Sequence, residues 1–123
     1  MNYDLEERVA RFGENVIKFC MGIDGNEISR PLISQIVRSA TSIGANYMEA
    51  NGASSKKDFK NKTRICQKEA NETKYWLRMI GTSNESHIDR CRRCRILWLE
   101  AHELTLIFAA ISRKCDRSIE DSF

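Results

Sequence analysis

One proline and six glycines among 123 residues leave little of the punctuation that β-rich and loop-rich folds need. No apolar run approaches the roughly 20 residues of a bilayer-crossing helix. The opening stretch, Met1 to Arg11, is acidic and lacks the basic-then-apolar order of a secretory signal. The five cysteines, Cys20, Cys66, Cys91, Cys94 and Cys115, are odd in number and too scattered for a disulfide scaffold. They read as reduced thiols serving as small apolar fillers, and the expected location is the cytoplasm. Also missing are a glycine-rich phosphate loop, a Ser-His-Asp set of plausible spacing and the recognition helix of a known DNA reader. The expectation is therefore a protein without enzymatic activity, cofactor or metal.

What the chain does have is helical periodicity from end to end, in a length that suits one domain with its own core. Leu5, Val9, Phe12, Val16 and Phe19 alternate spacings of four and three, predicting a helix over 3–21 that Gly22 and Asp24-Gly25-Asn26 stop. A second helix over 30–50 is capped by Ser29, admits Pro31 in its first turn and carries a broad apolar face from Leu32 to Ala50. Gly44 and Ala45 lie inside it. An interior glycine costs about 1 kcal/mol relative to alanine, so a neighbouring helix is expected to approach closely there.

The third helix, 55–80, opens at Ser54 or Ser55. It repeats Phe59, Thr63, Cys66, Ala70, Thr73, Leu77 and Ile80 in an unbroken bundle seam. The fourth, 86–115, has more apolar girth than one seam uses, which predicts a subunit interface through Leu97, Leu99, Leu104, Ile107 and Ile111. Residues 116–123 are expected to fray. Short connections make neighbours antiparallel, so the expected fold is an all-α, up-down-up-down four-helix bundle.

Charge is distributed unevenly. The net charge of +3 arises from −3 over residues 1–29, +1 over 30–53, +5 over 54–78 and zero over 79–123. Lys57, Lys60, Arg64 and Lys68 follow helical spacing along the third helix, with Lys56 and Lys62 beside them. Arg90, Arg92, Arg93 and Arg95 form a second cluster early in the fourth, and an antiparallel pair would hold the two clusters at opposite ends. Such runs are often only solvated faces, but in a ring of copies the field adds and favours a polyanion.

The run Gln35-Ile36-Val37-Arg38-Ser39-Ala40-Thr41-Ser42-Ile43-Gly44-Ala45-Asn46 is followed by Glu49-Ala50, Lys57-Asp58-Phe59, Lys68-Glu69-Ala70, Glu72 and Tyr75-Trp76-Leu77. Together they resemble the bacterial four helix bundle protein family, which includes proteins encoded in intervening sequences of large-subunit ribosomal RNA genes. The pattern is also similar to accessory proteins of diversity-generating retroelements. The resemblance implies a homopentameric ring, no catalysis and a nucleic-acid-binding role, with RNA or DNA bound without sequence preference. For the retroelement relatives it implies partnership with a reverse transcriptase. The Arg90–Arg95 cluster departs from the pattern.

Two constellations have competing readings. Asn46 and Glu49, with Glu69 and Glu72 across from them, read as a structural polar network, against a metal or acid/base pair that would need Glu-x-x-His repeats. His87, Cys91 and Cys94 share one helix face, but a lone Cys-x-x-Cys on a helix reads as buried or idle thiols rather than a zinc site. Tyr75, Trp76 and Trp98 are core or interface anchors by spacing, with base stacking as the functional counterpart. The leading expectation is a homo-oligomeric nucleic-acid-binding accessory protein, and the alternative is a protein-binding scaffold.

Overall fold

The apolar spacings become four helices: α1 (Leu5–Met21), α2 (Ser29–Asn51), α3 (Lys56–Ser83) and α4 (Ile88–Asp121). The structure, a computed structural model, describes residues 4–121, with side chains through Arg117, and no strand occurs among them. Each helix packs on its two neighbours, α1 on α2, α2 on α3, α3 on α4 and α4 back on α1. Paired residues run in opposite order at every seam. Gly13 faces Thr41 while Gly44 faces Val9. Glu49 reaches Lys62 while Arg38 reaches Glu69, and Lys60 meets Asp116 while Lys74 meets His102. Arg8 holds Glu100, whereas Arg93 lies over Phe19. Neighbours are thus antiparallel, as the short connections require.

The core is the sum of the four predicted faces. Val9, Phe12, Val16 and Phe19 of α1 meet Ile36, Ala40 and Ile43 of α2, Cys66, Ala70, Leu77 and Ile80 of α3, and Leu97, Ala101, Leu104 and Phe108 of α4. Tyr47 crosses from α2 to meet Phe108 edge-on, with ring centroids 5.6 Å apart. Buried polar atoms are mostly satisfied within this core. Thr73 Oγ1 lies 2.9 Å from Ser39 Oγ and 2.7 Å from the Glu69 carbonyl. The Cys66 thiol donates to the Ile43 carbonyl and the Cys94 thiol to that of Leu77. Burial pushes the Cys20 and Cys94 thiols up to about 11 and that of Cys66 to about 12, since a thiolate there would lose its hydration.

Gly44 does mark a close crossing. A Cβ at that position would stand 3.6 Å from Val9 Cγ2 and 3.7 Å from the Val9 carbonyl oxygen, so any longer side chain would push α1 away. Ala45 does not share the role, because the 100° step per residue turns it to solvent.

Three helix boundaries differ from the sequence-based expectation. Asn26, not Ser29, caps α2: its Oδ1 accepts from the N–H groups of Ile28 and Ser29, while Ser29 is buried and bonds back to the loop. α3 continues through Gly81 to Ser83, and Asn84 ends it by donating from its side chain to the Ile80 carbonyl. α4 persists past Asp116 to Asp121, with Asp116 tied to Lys60 of α3. Tyr3, the expected first residue of the first helix, and residues 122–123 of the expected frayed tail lie outside the described residues.

Candidate nucleic-acid interface

α3 has two opposed faces, and the second can be generated from the first. The seam begins at the half-buried Phe59 and continues through the buried Thr63, Cys66, Ala70, Thr73, Leu77 and Ile80. Stepping back two residues from each seam position, about 200° around the helix, gives Lys57, Asn61, Arg64, Lys68, Asn71, Tyr75 and Arg78, all exposed. Lys57, Arg64, Lys68 and Arg78 make no ion pair among the described residues, and Tyr75 is 54% exposed with its ring edge-on to Trp76. Ser55 starts the helix by accepting from the Asp58 N–H at 3.0 Å, and Lys56 emerges just after it, exposed.

The cations singled out from the sequence divide into two groups. Lys57, Arg64 and Lys68 share the outer face, but Lys60 does not. One residue past Phe59, it turns toward α4 and pairs with Asp116, whose carboxyl it holds below the usual range, helped by the charge of Arg64. Lys62 turns the other way and pairs with Glu49 at 3.4 Å. In the second cluster Arg90 is a strut rather than a free charge. It donates to Asn84 Oδ1 at 3.1 Å, the Gly22 carbonyl at 3.0 Å and Asp24 at 3.4 Å, tying the α1–α2 connection to the α3–α4 connection. The Arg93 guanidinium sits 5.4 Å from the Phe19 ring centroid. Arg92 lies 3.8 Å from Asp89, and Arg95 is exposed without an ion pair among the described residues.

The expected polar network exists with different membership. Arg38, which the sequence pattern alone does not single out, reaches from α2 to Glu69 at 3.1 Å and to Glu72, and Trp76 Nε1 donates to Glu72 at 3.1 Å. Two carboxylates three residues apart on α3 form a fork that an arginine on the facing helix can fill. Glu49 stands apart with Lys62, and Asn46 donates to the Ser42 carbonyl of its own helix. Among the described residues no three His, Cys, Asp or Glu side chains converge as a metal site would require. His87 is exposed, while Cys91 and Cys94 donate to separate carbonyls.

The expected interface on α4 is partly corrected. Leu97 and Leu104 belong to the core of the protomer, where no second copy could touch them. Ile107 and Ile111 are half-buried, and Leu99 is 53% exposed. The outward apolar stripe is instead Ile96, Leu99 and Leu106. Treating the apolar residues of α4 as one wide face hides Ile96 and Leu106, and sorting them by the same 100° step separates the two groups.

The fold and this surface define an antiparallel four-helix bundle with one cationic outer face and one apolar outer stripe. The sequence profile of the 23S rRNA-intervening sequence protein family matches residues 4–95, spanning α1 to α3 and the start of α4. The chain belongs to that family. It is similar to a crystal structure from Bacteroides thetaiotaomicron VPI-5482 described as a protein of unknown function from the S23 ribosomal protein family. The TM-score is 0.76 at 29% identity, over 88% of this chain and 94% of that one. None of the curated proteins matches. No helix among the described residues is long and apolar enough to cross a membrane.

Proposed function

We propose that this protein is a non-enzymatic, self-assembling accessory protein of the cytoplasm that binds RNA or DNA through phosphate contacts, without reading sequence. The observation that carries the reading is the set of exposed cations along the outer face of α3 that make no ion pair among the described residues: Lys57, Arg64, Lys68 and Arg78. The positions interleaved with them on that face, Asn61, Asn71 and Tyr75, are not acidic. The membership of a family linked to a 23S rRNA intervening sequence agrees with an RNA partner. Assembly runs through Ile96, Leu99 and Leu106, and in a closed ring, a pentamer in the reading that the family resemblance suggests, each cationic face repeats by symmetry. Association with a reverse transcriptase is a narrower version of the same role and rests on the resemblance of α2 and α3 to retroelement accessory proteins.

The test is a fluorescence titration of labelled oligonucleotides against the full chain at several salt concentrations. Each neutralised phosphate releases counterions, so affinity should fall steeply with salt, and unrelated sequences should bind within roughly tenfold of one another. Reversing Lys57, Arg64 and Lys68 to glutamate should weaken binding to all of them and lower the salt slope by about two. Equal affinity of wild type and triple variant would clear this face. No binding at low salt would favour the protein-scaffold alternative, whose assembly surface the Leu99→Asp and Leu106→Asp variants probe by light scattering.

A further inference from the structure

The α3–α4 seam opens, near its Arg78 end, into a groove of about 490 Å³. Its floor is apolar, with Leu77 and Cys94, and Trp98 forms one wall. Arg78 of α3 and Arg95 of α4 both line it, and Glu85 is the single carboxylate among the lining residues. Neither arginine makes an ion pair among the described residues. The Trp98 indole is held in place: it stacks on His102 with planes 12° apart and centroids 5.2 Å apart, and Lys74 Nζ lies 5.4 Å from its centroid and 3.2 Å from His102 Nδ1. Arg78 belongs both to this groove and to the outer cationic face of α3, so the two surfaces are continuous.

A face that binds only phosphate needs no apolar cleft, and a duplex keeps its bases stacked inside where such a cleft cannot reach them. A single strand exposes both a charged backbone and flat apolar bases. We infer that the α3–α4 groove receives an unpaired nucleobase, packed against Trp98 between Arg78 and Arg95, while Lys68, Arg64 and Lys57 track the backbone leading to it. This rests on the nucleic-acid reading above and narrows it to single-stranded RNA or DNA. The fixed orientation of Trp98 lowers the ordering cost of stacking, and the two guanidinium groups match the flanking phosphates.

The experiment uses the full chain with Trp76→Phe, which leaves Trp98 as the sole tryptophan reporter. A single-stranded oligonucleotide and a hairpin-free duplex of equal length are titrated in the same moderate salt. The expected result is tighter binding of the single strand by about tenfold or more, with quenching of Trp98 fluorescence. An Arg95→Gln variant, which alters the groove and leaves the outer cationic face of α3 intact, should reduce the preference and the quench while leaving duplex binding within about threefold. Because Arg95 is exposed, its melting temperature should match wild type. Equal affinity for duplex and single strand with no change at Trp98 overturns the groove assignment and leaves the cationic face standing. Absence of binding to either overturns both. Displacement of the single strand by polyglutamate of equal charge, at equal concentration, assigns the groove to acidic protein segments and overturns the nucleobase.

Discussion

At the α2–α3 seam Arg38 is gripped by Glu69 and Glu72, and at the α1–α4 seam Arg8 is gripped by Glu100 at 2.7 Å and by Glu103 at 2.6 Å. On the outer face of α3, Lys57, Arg64, Lys68 and Arg78 are exposed and make no ion pair among the described residues. The residue types are the same and their roles are opposite. Two acids three residues apart and aimed at a neighbouring helix turn an arginine into a connector. Asparagine and tyrosine at the equivalent outer positions leave the charge to solvent or to a ligand. The guanidinium of Arg8 even has its pKa raised, chiefly by its hydrogen bond to Glu100, which favours the charged form.

The contrast is sharpest where burial itself opposes a charge. The thiols of Cys20, Cys66 and Cys94 are raised by burial from 9.0 to between about 11 and about 12. A pKa raised on folding contributes stability that is complete below pH 9 and is lost as the pH climbs toward the folded value. Urea unfolding under reducing conditions should therefore show a loss of about 2 kcal/mol or more between pH 8 and pH 11, since each pH step between the unfolded and folded values weakens the fold by about 1.4 kcal/mol per thiol. Cys66→Ala should flatten that loss. Iodoacetamide at pH 8 should label the half-exposed Cys91 and Cys115 quickly and the other three only after denaturation.

Breaking a connector comes next. Arg38→Ala leaves the buried Glu69 carboxylate without its partner and should cost about 1–3 kcal/mol. A double-mutant cycle with Glu69→Ala should return a coupling of at least about 0.5 kcal/mol, and a coupling near zero would mean the seam is solvated. Arg90→Ala should cost about 1 kcal/mol by freeing the two connections that it ties together. The smallest effect is expected on the outer face, where Arg64→Gln and Lys68→Gln together should change stability by less than about 0.5 kcal/mol. A larger change would show that this face is already engaged within the protomer.

Nearly all of the core is legible in the sequence because it follows from one rule, the 4-3 spacing, applied to each helix in turn. The same rule contains the outer face of α3 as the seam displaced by two residues, and it exchanges Lys60 for Arg78. Lys60 looks like a member of the stripe because it is basic and close to its neighbours, which ignores that one residue is 100° of rotation. On α4 the pattern is harder to resolve. Apolar residues surround most of the cylinder, so Leu97 and Leu104, which fill the core, cannot be told from Leu99, which does not, without knowing where α1 and α3 stand. The Glu69 and Glu72 partners of Arg38 and the Gly22 and Asp24 partners of Arg90 lie more than 30 and more than 60 positions away, and no local spacing encodes them. Asn26 and Ser29 are both visible as capping residues. Which of them faces the free N–H groups depends on the path of the loop.

The helices differ in length, with 17 residues in α1 and 34 in α4, or about 25 Å against about 51 Å at the α-helical rise. Arg8 near the start of α1 meets α4 at Glu100 and Glu103, so roughly the last turns of α4 project beyond α1 and are supported mainly by the beginning of α3, through contacts such as that of Asp116 with Lys60. Leu104 and Phe108 are fully buried, so opening there exposes the core. Cooperativity is therefore graded along the axis of the molecule. Amide protons from about Ser112 to Asp121 should exchange through easier local openings than those of α4 alongside α1, which should exchange only through near-global unfolding. The long helix thus joins a cooperative half to one that melts first.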